Sequence, residues 1–444
     1  MRCLWARRDA YAGLAAPPRR PASDRGLQWF GRAAGVQEPD GRRGTQAGDA
    51  FDMSSHLPAR SDRRALVILH VIVGLQVGGA ETALLRLVQN SDRGLLKHVV
   101  ISLTLRGEQA DAYRAAGAEV VLLNLNPLRP SILMILKYLR TVRAFDPDVI
   151  QGWMVHGNLF AWVARTFACQ KAKLAWNLRH APSGAGHEKR TTRWLTRLLG
   201  ILSPSVDLLV SNSHSGLNDH HSLGYRPRRE VVVANGFDAD RFRPDDSIRR
   251  DVRAALNLGE SIVFGVVGRV HPAKGYEVFV EAAKRFAVRG RDVRFVLIGR
   301  ETNSPDGKLA ALIKAANLGA LTLCLGERHD VERLLAALDV LCVPSLYEGF
   351  PNAVGEAMAA ALPCIASRVS DVPMILGDAG VIVEPGDAED LYRAMVRVAD
   401  MSPEVRSEMG RKARTRLLEN FTMKQNIDVY TRLYVSLGGD TWKS

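Results

Sequence analysis

The sequence predicts an α/β protein made of two doubly wound halves, each a parallel sheet with helices on both faces. Three observations carry this. Apolar runs of strand length alternate with helical stretches from residue 65 to residue 437. Two of the runs, 65–72 and 262–268, are each followed by a glycine-containing turn and a helix, so the chain starts a strand–loop–helix unit twice. With 444 residues, 47% of them apolar, it is long enough for two or three domains with sizeable cores.

The elements follow in order. Residues 1–64 are rich in Arg, Gly, Pro and Ala, hold no sustained period and lack the continuous apolar segment of a signal peptide. They read as a disordered basic extension, with Met53 as an alternative start and a basic nucleic-acid or membrane arm as the functional alternative. The first half, 65–240, opens with strand 65–72, then Gly74, Gly78 and Gly79, then a helix over 82–90. Further strands are expected at 98–103, 119–123, 148–151, 173–177, 207–211 and 230–234, with helices near 107–116, 131–145, 157–168 and 187–202. Asn235-Gly236-Phe237-Asp238 reads as the loop leading out. The second half, 241–420, repeats the cycle with strand 262–268, helix 274–288, strand 295–299, helix 306–316, strand 321–325, helix 330–337 and strand 340–343. Strands 364–366 and 381–383 and a helix near 388–400 follow, and 421–444 adds a last helix ending near 437. In such folds ligands sit in the crevice at the strand C-termini.

Composition narrows the function classes. No uncharged apolar run reaches the roughly 18 residues of a membrane-spanning helix. The formal charge of +13 points to acidic partners: phosphorylated substrates, an anionic membrane surface or nucleic acid. The five cysteines, Cys3, Cys169, Cys324, Cys342 and Cys364, show no C-x-x-C spacing. Cys324, Cys342 and Cys364 sit in or beside apolar strand-like runs and read as buried thiols of a reducing compartment, with no zinc or disulfide framework.

The most informative stretch is Pro344-Ser345-Leu346-Tyr347-Glu348-Gly349-Phe350-Pro351-Asn352-Ala353-Val354-Gly355-Glu356-Ala357-Met358. Gly349 and Pro351 mark a turn, and Asn352 is the expected N-cap of an Ala-rich helix running to Pro363. Glu348 then lies on the loop after a strand and Glu356 about one turn into the next helix, both facing one crevice. The helix N-terminus aims free N–H groups at that crevice. Two acceptor carboxylates beside an anion-binding helix end suit a ligand with both hydroxyls and phosphate, such as a nucleotide sugar. A second stretch, Gly268-Arg269-Val270-His271-Pro272-Ala273-Lys274-Gly275, follows the first strand of the second half. It puts Arg269 and Lys274 in the cleft, where fixed cations stabilise the charge growing on a departing diphosphate. Gly78 and Gly79 allow a close backbone approach to a ligand, though a tight turn alone would explain them.

The pattern P-S-x-x-E-G-F-P-N-x-x-x-E-A-M-A, with its Glu-x7-Glu pair Glu348 and Glu356, resembles the large retaining glycosyltransferase family 4. The resemblance covers roughly 65–437 and is firmest in the second half. It implies the GT-B fold: two Rossmann-like domains facing across a cleft, 65–240 for the acceptor and 241–420 for the nucleotide-sugar donor, with the C-terminal helix, 421–444, crossing back to the first. It also implies a UDP- or GDP-sugar donor, no cofactor and no metal, since Arg269 and Lys274 match the family's G-R-x-x-x-x-K-G diphosphate site. By the same resemblance Glu356 takes the ribose hydroxyls and Glu348 the donor-sugar hydroxyls. Phe350, Pro351, Asn352 and Ala353 line sugar and phosphate with backbone groups, and Gly78 and Gly79 close over the donor. Arg328 stands where the family holds the base. A family histidine near the reacting carbon has two candidates, His180 and, second, His156. Retention is expected through same-face displacement, the leaving phosphate helping to deprotonate the acceptor. Three positions depart from the family: Ala361, where glycine is usual before the apolar-Pro pair, and Ser370 and Met374, where glycine and glutamate are common.

The stretch 187–202 mixes Lys189, Arg190, Arg193 and Arg197 with Trp194, Leu195, Leu198 and Leu199. It reads either as a domain helix with a solvated basic face or as an interfacial helix on anionic lipid. Similarity to bacterial exopolysaccharide and lipopolysaccharide-type transferases favours a lipid-linked or polysaccharide acceptor at the inner face of the cytoplasmic membrane. Two rival readings are a nucleotide-sugar epimerase on the same scaffold and a non-catalytic nucleic-acid binder. The intact Glu-x7-Glu pair and the Arg269–Lys274 clamp argue against the first. The second would need basic residues interleaved with aromatics, and no such run occurs outside the Arg-rich N-terminus, so no nucleic-acid partner is expected.

Overall fold

A computed structural model of the chain describes residues 64–128, 131–179 and 190–439. The basic extension, Arg64 excepted, and the candidate His180 lie outside the described residues. The first sheet has seven strands: β1 (Leu66–Ile72), β2 (Leu96–Ser102), β3 (Glu119–Leu122), β4 (Val149–Trp153), β5 (Lys173–Leu178), β6 (Leu208–Ser211) and β7 (Glu230–Val232). The second has six: β8 (Ile262–Val267), β9 (Val293–Ile298), β10 (Thr322–Cys324), β11 (Val340–Val343), β12 (Cys364–Ser367) and β13 (Val381–Val383). Their orders are β3-β2-β1-β4-β5-β6-β7 and β10-β9-β8-β11-β12-β13, and adjacent strands pair in parallel. The strands are near-continuous apolar runs because both faces of each sheet are covered.

Helices α1 (Gly79–Asn90) and α2 (Ala110–Ala115) cover one face of the first sheet. The other face carries α3 (Ile132–Phe145), α4 (Met154–Phe167), α5 (Arg190–Leu202) and α6 (His214–Ser222). After α7 (Asp246–Ala255), the second sheet packs α8 (Tyr276–Ala287) and α9 (Lys308–Ala315) on one face. On its opposite face lie α10 (Val331–Ala336), α11 (Asn352–Ala359) and α12 (Val372–Leu376). Helices α13 (Ala388–Ala399), α14 (Pro403–Asn420) and α15 (Met423–Gly438) complete the chain. The last returns to the first domain and buries Tyr430, Leu433, Tyr434 and Leu437 with α1, β1 and β4. Its Tyr430 hydroxyl accepts from Asn177 Nδ2 at 2.8 Å and Arg179 Nη2 at 3.0 Å.

Several local expectations are corrected. The glycines do not precede α1 as a loop: Gly78 is its N-cap and Gly79 its first residue. Pro351, not Asn352, is the N-cap of α11. Helix α4 starts directly at the end of β4, so His156 is helical. Helices α6, α7, α12 and α14 were not expected at all. The two longest bury few side chains, Val252 in α7 and Gly410, Ala413 and Leu417 in α14, whereas the short α12 buries three of its five residues, Val372, Ile375 and Leu376. The apolar stripe of α14 is therefore too thin to show a period, and α12 is too short for one.

The departure at Ala361 has a physical meaning. Helix α11 ends with Leu362 N–H on the Ala357 carbonyl at 2.9 Å and Ala361 N–H on that of Met358 at 3.1 Å, and Ala361 takes φ +52°. This is a Schellman ending, which favours glycine at that left-handed position. Ala361→Gly is therefore expected to stabilise the protein by about 1 kcal/mol, read as a higher urea midpoint with unchanged slope.

Candidate active site

In each sheet the order reverses beside the first strand, between β1 and β4 and between β8 and β11. The loops after these strands bound the crevice. A cavity of about 240 Å³ lies there, between the domains. The first domain supplies Gly78, Gly79, Thr82, Arg86 and Arg179, the exit loop Asn235 and Gly236, the second domain Asn352 and Glu356, and α15 Met423 and Asn426. The glycine pair and the second glutamate thus share one space.

The neighbouring loop after β8 forms a single 3-10 turn over Pro272–Lys274, which His271 caps by accepting from Ala273 N–H at 3.2 Å. Gly275 closes it at φ +63°, and a Cβ there would meet the Pro344 carbonyl oxygen at 1.9 Å. No other residue lets this turn press against the end of β11. The contact brings Lys274 Nζ to Glu348 Oε1 at 2.6 Å, and Ser345 Oγ donates to the same oxygen at 2.7 Å. Glu348 Oε2 has no hydrogen-bond partner among the described residues, which leaves it open to a hydroxyl. Arg269 is exposed at the same strand end.

Glu356 behaves differently from Glu348. Burial pushes its carboxyl up to about 7, against the pull of Arg86 and Arg241, with Glu332 adding to the rise. Arg86, on α1, is in turn shifted down by burial while Glu356 opposes the shift. Asn352, one turn before Glu356, accepts from Asn235 Nδ2 at 2.7 Å. Asn235 in turn accepts from Arg179 Nη1 at 2.5 Å. Arg179 lies over Trp153, 5.1 Å from the ring centroid.

The remaining candidates are distributed as follows. Phe350 is buried and stacks on Phe237 with centroids 6.2 Å apart, so its ring serves the domain joint. Pro351 is buried and Ala353 half-buried at the start of α11. Arg328 is exposed, holds Asp330 in a two-pronged pair at 2.8 Å, and does not line the cleft cavity. His156 lines a different cavity, inside the first domain. Sequence reasoning missed Arg86, Arg179, Asn235 and Asn426. Two carried a usable signal: Arg86 interrupts the apolar run Leu84-Leu85-Arg86-Leu87-Val88, and Arg179 directly follows a buried strand.

The Glu356 shift has a consequence for stability. Its folded value, about 7, lies above the unfolded 4.5, so the folded state holds a proton that the unfolded state has lost between those values. Stability therefore falls as pH rises from 4.5 through about 7. Glu356→Gln should match the wild type at low pH and be more stable at pH about 8 by roughly 1–3 kcal/mol, measured by urea unfolding at both pH values.

Comparison with known proteins agrees with this architecture. The family model described as Glycosyltransferase Family 4 matches residues 77–241, and that described as Glycosyl transferases group 1 matches residues 261–401. The Escherichia coli UDP-Gal:alpha-D-GlcNAc-diphosphoundecaprenol alpha-1,3-galactosyltransferase is 32% identical over 48% of this chain and 55% of its own. The chain thus spans about half the length of that relative. The Bacillus subtilis glycosyltransferase EpsF is 26% identical over 68% of this chain and 78% of its own. The crystal structure of Anabaena HepE with UDP is similar in fold, with a TM-score of 0.73 and 19% identity over 84% of this chain and 100% of that one. The two family matches fall one on each domain, and the strand orders are those of two facing nucleotide folds. The chain belongs to glycosyltransferase family 4, the glycosyl transferases of group 1, and has the GT-B fold.

Proposed function

We propose that this transferase is a retaining, metal-independent hexosyltransferase of cell-surface glycan assembly. It takes a hexose from a UDP- or GDP-sugar and passes it to a lipid-linked or polysaccharide acceptor. The observation that carries the reading is the cleft itself, with Gly78 and Gly79 facing Asn352 and Glu356 across one cavity and the Lys274–Glu348 pair at the adjoining strand end. The UDP bound in the Anabaena structure and the lipid diphosphate in the name of the Escherichia coli relative support the donor and acceptor classes.

In this reading Glu356 accepts from the ribose hydroxyls and Glu348 Oε2 from a hydroxyl of the sugar. Lys274, held by Glu348, and Arg269 meet the diphosphate oxygens. The bond between the anomeric carbon and the β-phosphate oxygen breaks, and the acceptor oxygen bonds to the same face of that carbon. The acceptor's proton leaves on the departing diphosphate. The two cations act mainly on charge that exists only as the bond breaks, so they lower the barrier more than they tighten ground-state binding. His180 remains the first candidate for a contact near the reacting carbon, and the Phe350–Ala353 backbone for contacts to sugar and phosphate.

Offered a panel of UDP- and GDP-sugars without acceptor, the protein should slowly release one nucleoside diphosphate. Lys274→Ala should cut that rate by roughly a hundredfold or more. A pure, folded protein that turns over none of the donors and binds neither UDP nor GDP would refute the reading.

The membrane side of the proposal rests on α5. Leu195 and Leu199 are buried in the domain, while Trp194 and Ile201 are exposed beside Arg193 and Arg197. On the same face of the sheet, α3 exposes Ile132 and Leu133 near Lys137 and Arg140. Among the described residues no helix is long and apolar enough to cross a membrane. Docking on the inner leaflet through apolar tips and basic flanks is the arrangement these helices fit. Binding to anionic vesicles should fall roughly tenfold or more from low to near-physiological salt, and Trp194→Ala should weaken it further. Salt-independent binding, or none, would remove this part.

A further inference from the structure

We propose that Arg86 is a specificity-determining residue for the donor: it and Glu356 hold the ribose hydroxyls between them from opposite domains, so the site requires a ribonucleotide. The inference rests on the transferase reading above and deepens its donor half.

Two helix faces line the cleft cavity. On α1 the lining residues are Gly79, Thr82, Ala83 and Arg86, whose spacing puts them on one face. On α11 they are Asn352 and Glu356, four residues apart and again on one face. Gly79 and Asn352 are the first residues of their helices, and no side chain caps either start. Free N–H groups at both starts therefore face the cavity and suit a diphosphate. Arg86 lies about 10 Å along α1 from its start, and Glu356 about 6 Å along α11. Anions at the two starts leave this second pair to the next part of the ligand, which in a nucleoside diphosphate is the ribose.

Three charged side chains line the cavity: Arg86, Arg179 and Glu356. Arg179 is occupied, donating to Asn177, Asn235 and Tyr430. Arg86 and Glu356 make no side-chain hydrogen bond or ion pair among the described residues, with each other or with any third group. Both are half-buried. They are near enough to act on one another: burial raises the carboxyl while Arg86 draws it down, and burial lowers the guanidinium while Glu356 holds it up. Two opposite charges that are partly removed from water and do not meet are costly to keep. A ligand with groups for both removes that cost.

A vicinal diol is such a ligand. Each hydroxyl has one hydrogen to give and two lone pairs that can receive. The hydrogens go to the two oxygens of Glu356, and the guanidinium fork of Arg86 gives its N–H groups to the lone pairs. A phosphate in the same gap gains at Arg86 and loses at Glu356 once that carboxyl is ionised, so the gap does not suit it. The sequence gave the ribose to Glu356 alone. Arg86 supplies the other half of the recognition from the first domain, so the bound ribose ties α1 to α11.

The test measures binding of UDP and GDP to the full chain, then of the 2′-deoxy and 3′-deoxy analogues of whichever binds. Loss of at least one hydroxyl should weaken binding roughly tenfold or more, the worth of a hydrogen bond to a charged group. Arg86→Met should lose a similar factor on the ribonucleotide and less than about twofold on that deoxy analogue. Arg86→Lys keeps the charge without the fork and should lose the same discrimination. Retained affinity for the deoxy analogue shows that the variants are folded, and where Arg86→Met does not fold, Arg86→Lys decides by the same comparison. Equal weakening of ribo- and deoxynucleotide, which marks a phosphate cation, overturns the proposal. So does unchanged binding in the variants, or a wild type that binds both nucleotides alike. A protein that binds neither UDP nor GDP fails at the earlier step and refutes the transferase reading instead.

Discussion

The relative placement of the two domains depends on Phe237. A Cβ on Gly355 would meet the Phe237 ring at 2.1 Å, so the ring occupies the space that a side chain of α11 would fill. The same ring stacks on Phe350, at the turn leading into α11. Its backbone is held too: Phe237 N–H donates to the Phe421 carbonyl and Met423 N–H to the Phe237 carbonyl, each at 2.9 Å. One buried residue of the exit loop therefore fixes the motif helix and the start of α15 together. Close packing makes such a joint stiff, because neither partner can shift by a few tenths of an ångström without overlap. The distance between the glycine pair and Glu356 follows from this joint rather than from any contact between them.

Around that apolar joint the domains meet through polar groups. The Asp371 carboxylate accepts from His214 N–H at 2.6 Å and Ser215 N–H at 3.0 Å, which caps α6 from across the cleft. Ser215 and Ser370 hydroxyls lie 2.8 Å apart, and Asn235 bonds Asn352. Ser370 adopts φ +48°, so it holds a conformation better suited to the glycine common in the family. The hydroxyl compensates by bonding both Ser215 and the Gly349 carbonyl, the latter at 3.0 Å. A departure from the family's pattern thus ties the turn carrying Glu348 and Gly349 to the first domain.

Much of this was legible in the sequence because parallel strands buried on both faces leave unbroken apolar runs. All seven strands of the first sheet and all six of the second were anticipated within a few residues. The glycines were legible as positions, since few other residues tolerate what Gly275 must do, but not as geometry: Gly78 is the N-cap of α1 and Gly79 its first residue, rather than parts of a loop before it. Helix α14 escaped because its three buried residues set no clear period, and α7 is held as much by Arg249 and Arg253, which donate to Asp339 and to nearby carbonyls, as by the packing of Val252. The donor motif was readable as a local string, whereas Arg86, Arg179 and Asn235 reach the site from separate elements. Their pairing exists only once β5, the exit loop and α11 are brought together. Contiguous motifs report on one wall of a cleft, and the opposite wall is assembled by tertiary structure.

The two halves also divide the chemistry between them, and their shared topology makes the comparison direct. After β8 and β11 the chain places Arg269, Lys274, Glu348 and Glu356, all ionisable and close to a helix start. After β1 and β4, the equivalent places, it puts Gly78, Gly79, Glu81, Trp153 and His156, and burial drives the two titratable members of that set toward neutrality. A fold that repeats itself offers two equivalent crevices, so topology alone cannot assign substrates to domains. The local walls differ in how they are built. The second half sets its charged groups on two contiguous loops, while the first half brings Arg86 from the body of α1 and Arg179 from the end of β5, so its cations reach the cleft only through tertiary packing.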